Sequence, residues 1–108
     1  FDANGTLVTS FGAGLIQSPH GIAVDGEGNV WVTDCSCTGR PRGAAADTSA
    51  RPTPAGHQIF KFAPDGRLLM TLGTPGGSRD GGYFWQPNDV LVAPDGSIFV
   101  SEGHSSQP

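Results

Sequence analysis

The sequence predicts an all-β fold, a run of four-stranded antiparallel blades of a β-propeller, and three features of its 108 residues carry that expectation. The chain repeats itself: Ser18-Pro-His-Gly-Ile-Ala-Val-Asp-Gly-Glu-Gly-Asn-Val-Trp-Val-Thr-Asp34 returns without a gap, 68 residues on, as Gln86-Pro-Asn-Asp-Val-Leu-Val-Ala-Pro-Asp-Gly-Ser-Ile-Phe-Val-Ser-Glu102. Short apolar, β-prone runs alternate with turn clusters rich in Gly, Asn, Asp and Pro. The composition leaves little to clothe a helix: Gly 17 and Pro 9 stand against two glutamates and one lysine, which excludes a helical bundle.

Taken in order, residues 1–12 return as residues 62–73 and read as the last strand of a preceding blade. Gly21–Asp25 and Val30–Thr33 are strands around the turn cluster 26–29, whose residues tolerate positive φ. Gln58–Phe62 and Leu68–Leu72 flank Ala63-Pro-Asp-Gly66, and Val90–Val92 and Ile98–Val100 flank Ala93-Pro-Asp-Gly96, the same turn chemistry twice. The domain organisation is a partial β-propeller over 1–108: residues 18–73 make a complete blade and 86–102 the first two strands of the next, about one and three-quarter blades in all. Propellers close with about four to eight blades, and such repeats need neighbours to bury their faces. The expected partners are therefore the remaining blades of the same protein or further copies of this chain.

Two connections break the pattern. Residues 35–56 form a long polar excursion that carries Arg40, Arg42 and Arg51, and a loop of that length reads as a mobile flap or a disordered segment. Residues 74–85 make a longer link between blades than residues 13–17 do. Cys35 and Cys37 lie at the start of the excursion. A bridge between such near neighbours is not expected as a stable staple, and two thiols alone do not complete a zinc site, so they read as loop residues or as partners for something outside the chain.

The net charge of −4 gives no footprint for nucleic acid, and no apolar run approaches the roughly 18 residues of a membrane span. No charged-then-apolar leader segment occurs in the sequence. Gly-x-Ser-x-Gly, a phosphate-cradling glycine loop and Cys-x-x-Cys are all absent.

In such a blade the turns between strands 1 and 2 and strands 3 and 4 share one end. The long connections share the other, together with His20, Asp34, both cysteines, His57, Asn88, Glu102 and His104. A face with elaborated loops on a rigid scaffold is where binding is expected. His20 opens the innermost strand and points toward the channel of a closed ring, either as a metal ligand completed by other blades or as a hydrogen-bonded histidine at the channel mouth. Asn88 holds the equivalent place in the next blade and is a poor zinc ligand. His57 reads as a loop anchor, and Asp34 and Glu102 as ties between strand ends through backbone amides. His104 reads as an acid/base candidate or as an ordinary surface histidine. Trp31 and Phe99 match in the repeat and read as blade-packing residues.

Pro19-His-Gly-Ile-Ala-Val-Asp25, Gly28-Asn-Val-Trp-Val-Thr-Asp34 and Gln58-Ile-Phe-Lys-Phe62 resemble NHL repeats. More narrowly, Ser18–Asp34, Gly56–Phe62 and Phe84–Gly103 are similar to the peptidylamidoglycolate lyase domain of peptide-amidating enzymes and its bacterial relatives. The resemblance implies a six-bladed propeller with a channel zinc held by three histidines, of which His20 matches the first. It also implies a structural calcium with the main-chain carbonyl of Ile22 as a ligand. The implied reaction is lysis of a peptidyl-α-hydroxyglycine to a peptide amide and glyoxylate, on a peptide-like small substrate. The tyrosine of that reaction follows an Asp-Gly pair, where this chain has Glu102-Gly103-His104, so His104 takes the catalytic place. A family disulfide would link the positions of Trp85 and Ser105, and both cysteines are missing here. Two functions are therefore expected of the full-length protein: a zinc-dependent lyase, or a non-catalytic NHL propeller that binds a protein or carbohydrate partner through its loop-rich face. An extracellular or periplasmic location is expected.

Overall fold

A computed structural model describes residues 1–36, 55–78 and 84–103. Six strands form two antiparallel sheets. The first holds β1 (Pro19–Val24), β2 (Val30–Asp34), β3 (Gln58–Phe62) and β4 (Leu68–Leu72) in sequential order, and the second pairs β5 (Pro87–Val92) with β6 (Ile98–Glu102). This is the all-β arrangement of one propeller blade beside the opening hairpin of another, as the repeat predicts.

One turn recurs four times, at residues 2–6, 25–29, 63–67 and 93–97. Each time the first N–H donates to the fifth carbonyl: Asp2 to Thr6, Asp25 to Asn29, Ala63 to Arg67 and Ala93 to Ser97, at 2.8–3.0 Å. The fourth residue is always glycine at positive φ, from 81° at Gly5 to 90° at Gly66, which closes a type I turn with a glycine bulge. An aspartate side chain accepts the fifth N–H in every copy, from the first position at Asp2 and Asp25 and from the third at Asp65 and Asp95. Residues 1–12 contain the first of these turns but no strand, and none of the six strands pairs with them.

Both first strands begin earlier than their apolar runs suggest, at Pro19 and Pro87. A proline lacks the N–H of a ladder, but β1 and β5 are edge strands of their sheets, where that loss is tolerated. Both also carry a bulge that the sequence pattern does not reveal. Pro19 faces Asp34 while Ile22 faces Val32, and Pro87 faces Glu102 while Asp89 faces Ser101, so each first strand spends one extra residue beside His20–Gly21 or Asn88.

The sheets pack through Trp31, Ile59 and Val90, with Ala23, Leu72, Phe84, Val92 and Val100 against them. Glycine at residue 21 lets β1 approach β5 closely: a Cβ there would lie 2.5 Å from the Asn88 carbonyl oxygen. The opposite face of the first sheet gathers Val32, Phe60 and Phe62 with Ile16 and Val30, and the Phe11 ring lies 5.1 Å from that of Phe62. Trp31 is buried, as a packing residue should be. Its repeat partner Phe99 is 59% exposed, on a sheet face that nothing else among the described residues covers. No helix among the described residues is long and apolar enough to cross a membrane.

Candidate binding face at the loop-rich end

The bulge at the start of β1 re-aims His20 toward the neighbouring blade. Its Nδ1 lies 2.9 Å from the main-chain oxygen of Asn88. A carbonyl only accepts, so Nδ1 carries the proton, and in the neutral ring Nε2 is the atom with the lone pair. Thr33, fully buried, completes the joint: its hydroxyl accepts the Gly21 N–H at 2.7 Å and donates to the same Asn88 oxygen at 3.0 Å. The Asn88 side chain donates through Nδ2 to the carbonyl of Gly103. His20, Thr33, Asn88 and Gly103 thus form one hydrogen-bonded series across two blades. Sequence reasoning missed Thr33, although a hydroxyl residue stands at both copies of the repeat, Thr33 and Ser101.

The carboxylates at the ends of the second strands do what the repeat suggests. Asp34, fully buried, accepts the N–H groups of Gln17 at 2.9 Å and Ser18 at 2.8 Å. Glu102 accepts the N–H of Trp85 at 2.8 Å, and Trp85 is the repeat partner of Gln17. His57 is the expected loop anchor: it is buried at a φ of 60°, its Nδ1 accepts the Gln86 N–H at 2.9 Å, and its ring stacks 4.4 Å from that of Trp85.

Cys35 corrects the reading of the thiols as loop residues. It is 1% exposed and disulfide-bonded, with its N–H on the Ser18 carbonyl, and Ser36 just beyond it takes a left-handed φ of 50°. The chain's other cysteine, Cys37, lies outside the described residues, as do His104 and most of the 35–56 excursion. Ile22 lies in the edge strand β1 with its side chain 70% exposed. Among the described residues no group of three or more His, Cys, Asp or Glu side chains gathers as a metal site would require.

Electrostatic tuning is concentrated at the other end, among the tight turns. The Trp31 indole N–H, 2.9 Å from Asp25 Oδ2, together with the Asn29 and Glu27 amides, holds the Asp25 carboxyl far below the ordinary range of a carboxylate. Lys61 adds an ion pair at 3.6 Å while its ammonium lies 5.1 Å from the Trp31 ring centroid. The Asp95 carboxyl is lowered as well, chiefly by the Ser97 amide. A groove of about 540 Å³ runs along this end between Trp31, Lys61 and Met70 of the first sheet and Val92 and Ile98 of the second. Neither His20 nor His57 lines it.

Known proteins place these features in a wider setting. A family model described as "NHL repeat" matches residues 17–40. A probable peptidyl-alpha-hydroxyglycine alpha-amidating lyase of Caenorhabditis elegans is 34% identical over 91% of this chain and 23% of its own length. The peptidylglycine alpha-amidating monooxygenase of Rattus norvegicus is 33% identical over 94% of this chain and 9% of its own length. An NHL repeat-containing protein of Mus musculus is 29% identical over 82% of the chain and 23% of its own. The chain spans less than a quarter of each of these relatives. The NHL-repeat match and the all-β sheets together support a propeller-like fragment, similar in sequence to the amidating lyases.

Proposed function

We propose that this chain supplies part of the binding face of an NHL propeller, which takes a peptide-like ligand at its loop-rich end. The observation that carries the reading is the joint at His20, where an imidazole is held by the main-chain carbonyl of Asn88 in the next blade, a carbonyl that a buried threonine hydroxyl also engages. Side chains fixed in this way are suited to recognition, because little rotamer freedom is lost when a ligand arrives. Among the described residues that face gathers no group of three or more His, Cys, Asp or Glu side chains that could hold a metal ion.

A second reading is favoured by the His20 tautomer and by the lyase names of similar proteins: a zinc-dependent lyase that cleaves the C–N bond of a peptidyl-α-hydroxyglycine. His20 fits one ligand position. A metal-binding imidazole ordinarily donates its other ring N–H to a carbonyl or carboxylate, and His20 donates Nδ1–H to Asn88. The main-chain carbonyl of Ile22 is a hard oxygen donor of the kind calcium takes. Zinc, when bound, would lower the pKa of a coordinated hydroxyl. In this chain the Asn88 carbonyl, itself held by Thr33, would orient the ligand ring, and His104 would move the proton, a task suited to an imidazole near neutral pH. An extracellular or periplasmic setting belongs to this reading, and the disulfide at Cys35 suits an oxidising compartment.

Incubation of the zinc-replete full-length protein with a peptidyl-α-hydroxyglycine, together with calorimetry on an unreactive glycine-extended peptide, separates the two. Glyoxylate release with stoichiometric zinc establishes the lyase. Binding without release leaves the recognition face, and neither binding nor release overturns both.

A further inference from the structure

We infer that Asn88 is a positioning residue of this face, a fixed spacer that sets Gly103, the residue after β6, at a defined place relative to the His20 ring. The inference rests on the lyase reading only for its effect on turnover. Asn88 sits on the extra residue of the β5 bulge, between Pro87 and Asp89. Its main-chain oxygen is occupied by two donors, His20 Nδ1 at 2.9 Å and Thr33 Oγ1 at 3.0 Å. Its side-chain Nδ2 donates to the carbonyl of Gly103, whose own N–H donates to Gln86 O at 3.3 Å. In sequence, His104 comes next.

The other end of the amide tells why the residue is asparagine. Asn88 Oδ1 is buried with no hydrogen-bond partner, an arrangement that ordinarily costs free energy and calls for a reason. Turning the amide over would set that oxygen against the Gly103 carbonyl, two acceptors face to face. The donor on Gly103 is thus kept at the expense of an orphaned acceptor. A smaller residue would avoid the orphan but would not reach Gly103, and an aspartate of the same shape would offer it no N–H. The placement of Gly103, rather than space filling, is what the asparagine secures.

The test uses Asn88→Ala and the isosteric Asn88→Asp in the full-length protein. In both, the metal-free His20 ring should keep its proton on Nδ1 by ¹⁵N chemical shift, because its acceptor is main chain. Losing the Asn88 hydrogen bond to the Gly103 carbonyl should loosen that residue, so that its N–H, held by Gln86 O, exchanges about fivefold faster. Zinc content should stay at the wild-type level while kcat falls about 10–100-fold with KM little changed, the usual effect of removing an outer-shell partner. Asn88→Asp matching wild type in Gly103 exchange would overturn the inference, since packing alone would then explain the residue. So would a wild-type His20 protonated on Nε2. If the wild type releases no glyoxylate, the lyase reading fails by itself, and the exchange and tautomer measurements still decide the role of Asn88.

Discussion

Asp25 and His57 show how single polar groups hold the blade. Asp25 receives the Trp31 indole, the Asn29 and Glu27 amides and the Lys61 ammonium, and its carboxyl is held far below an unperturbed value of about 4. A carboxyl depressed on folding contributes stability that is fully present above its unfolded pKa and is lost as pH falls toward the folded one. Wild type and Asp25→Asn should therefore differ most near pH 7 and converge on acidification below about pH 4, in denaturation midpoints of the full-length protein. A constant difference down to pH 2 would contradict the assignment. His57 makes a different kind of demand. His57→Phe keeps a ring against Trp85 but removes the acceptor of the Gln86 N–H, and should destabilise by about 1–3 kcal/mol in urea unfolding.

The first strand of each blade is the element on which the face depends, and it is also where the sequence was least legible. Three of the four turns could be read directly, because Asp and Gly at fixed offsets have a local physical reason to turn the chain. The outer strands Gln58–Phe62 and Leu68–Leu72 matched residue for residue, since their apolar runs end at those turns. The bulges at His20–Gly21 and Asn88 could not be read, because an extra residue in a ladder is set by its pairing partner and has no composition of its own. That placed His20 at the right end of the blade but left its contact with Asn88 unforeseen. The thiol at Cys35 was misjudged for a related reason: spacing alone does not report that Ser36 takes a left-handed φ. Gly21 is the part of the element most open to test. An alanine Cβ would meet the Asn88 oxygen at 2.5 Å and the Asp89 Oδ1 at 2.7 Å, main chain and side chain together, so β1 must move away from β5. Gly21→Ala should cost about 1–3 kcal/mol and weaken the His20–Asn88 hydrogen bond. A fully stable variant with an unchanged His20 ring shift would show that the close approach is not needed.

At the scale of the whole molecule, the described residues pack the two sheets together and cover part of the first sheet's other face at Val32, Phe60 and Phe62, but leave apolar side chains bare beside that cluster and on the second sheet. Ile22 and Val24 on one side of the first sheet are 70% and 66% exposed, and Leu91 and Phe99 on the second sheet are 63% and 59% exposed. Scattered exposed apolar residues are ordinary, but these alternate along strands on single faces, as the buried Trp31 and Ile59 do on the face that has a neighbour. The repeat makes the comparison direct, because Phe99 occupies the place of Trp31. If further blades cover the second sheet as the second sheet covers the first, Phe99→Asp should behave as a core substitution in the full-length protein. It should lose about 3–5 kcal/mol, the scale on which a buried aromatic is emptied, with the uncompensated charge adding to that. The same substitution in the isolated 108-residue chain should leave the unfolding midpoint nearly unchanged and suppress self-association, read by sedimentation velocity. Full-length protein that tolerates Phe99→Asp within about 0.5 kcal/mol, the range of ordinary surface changes, would mean that the face stays in water and that the blades do not continue as the repeat implies.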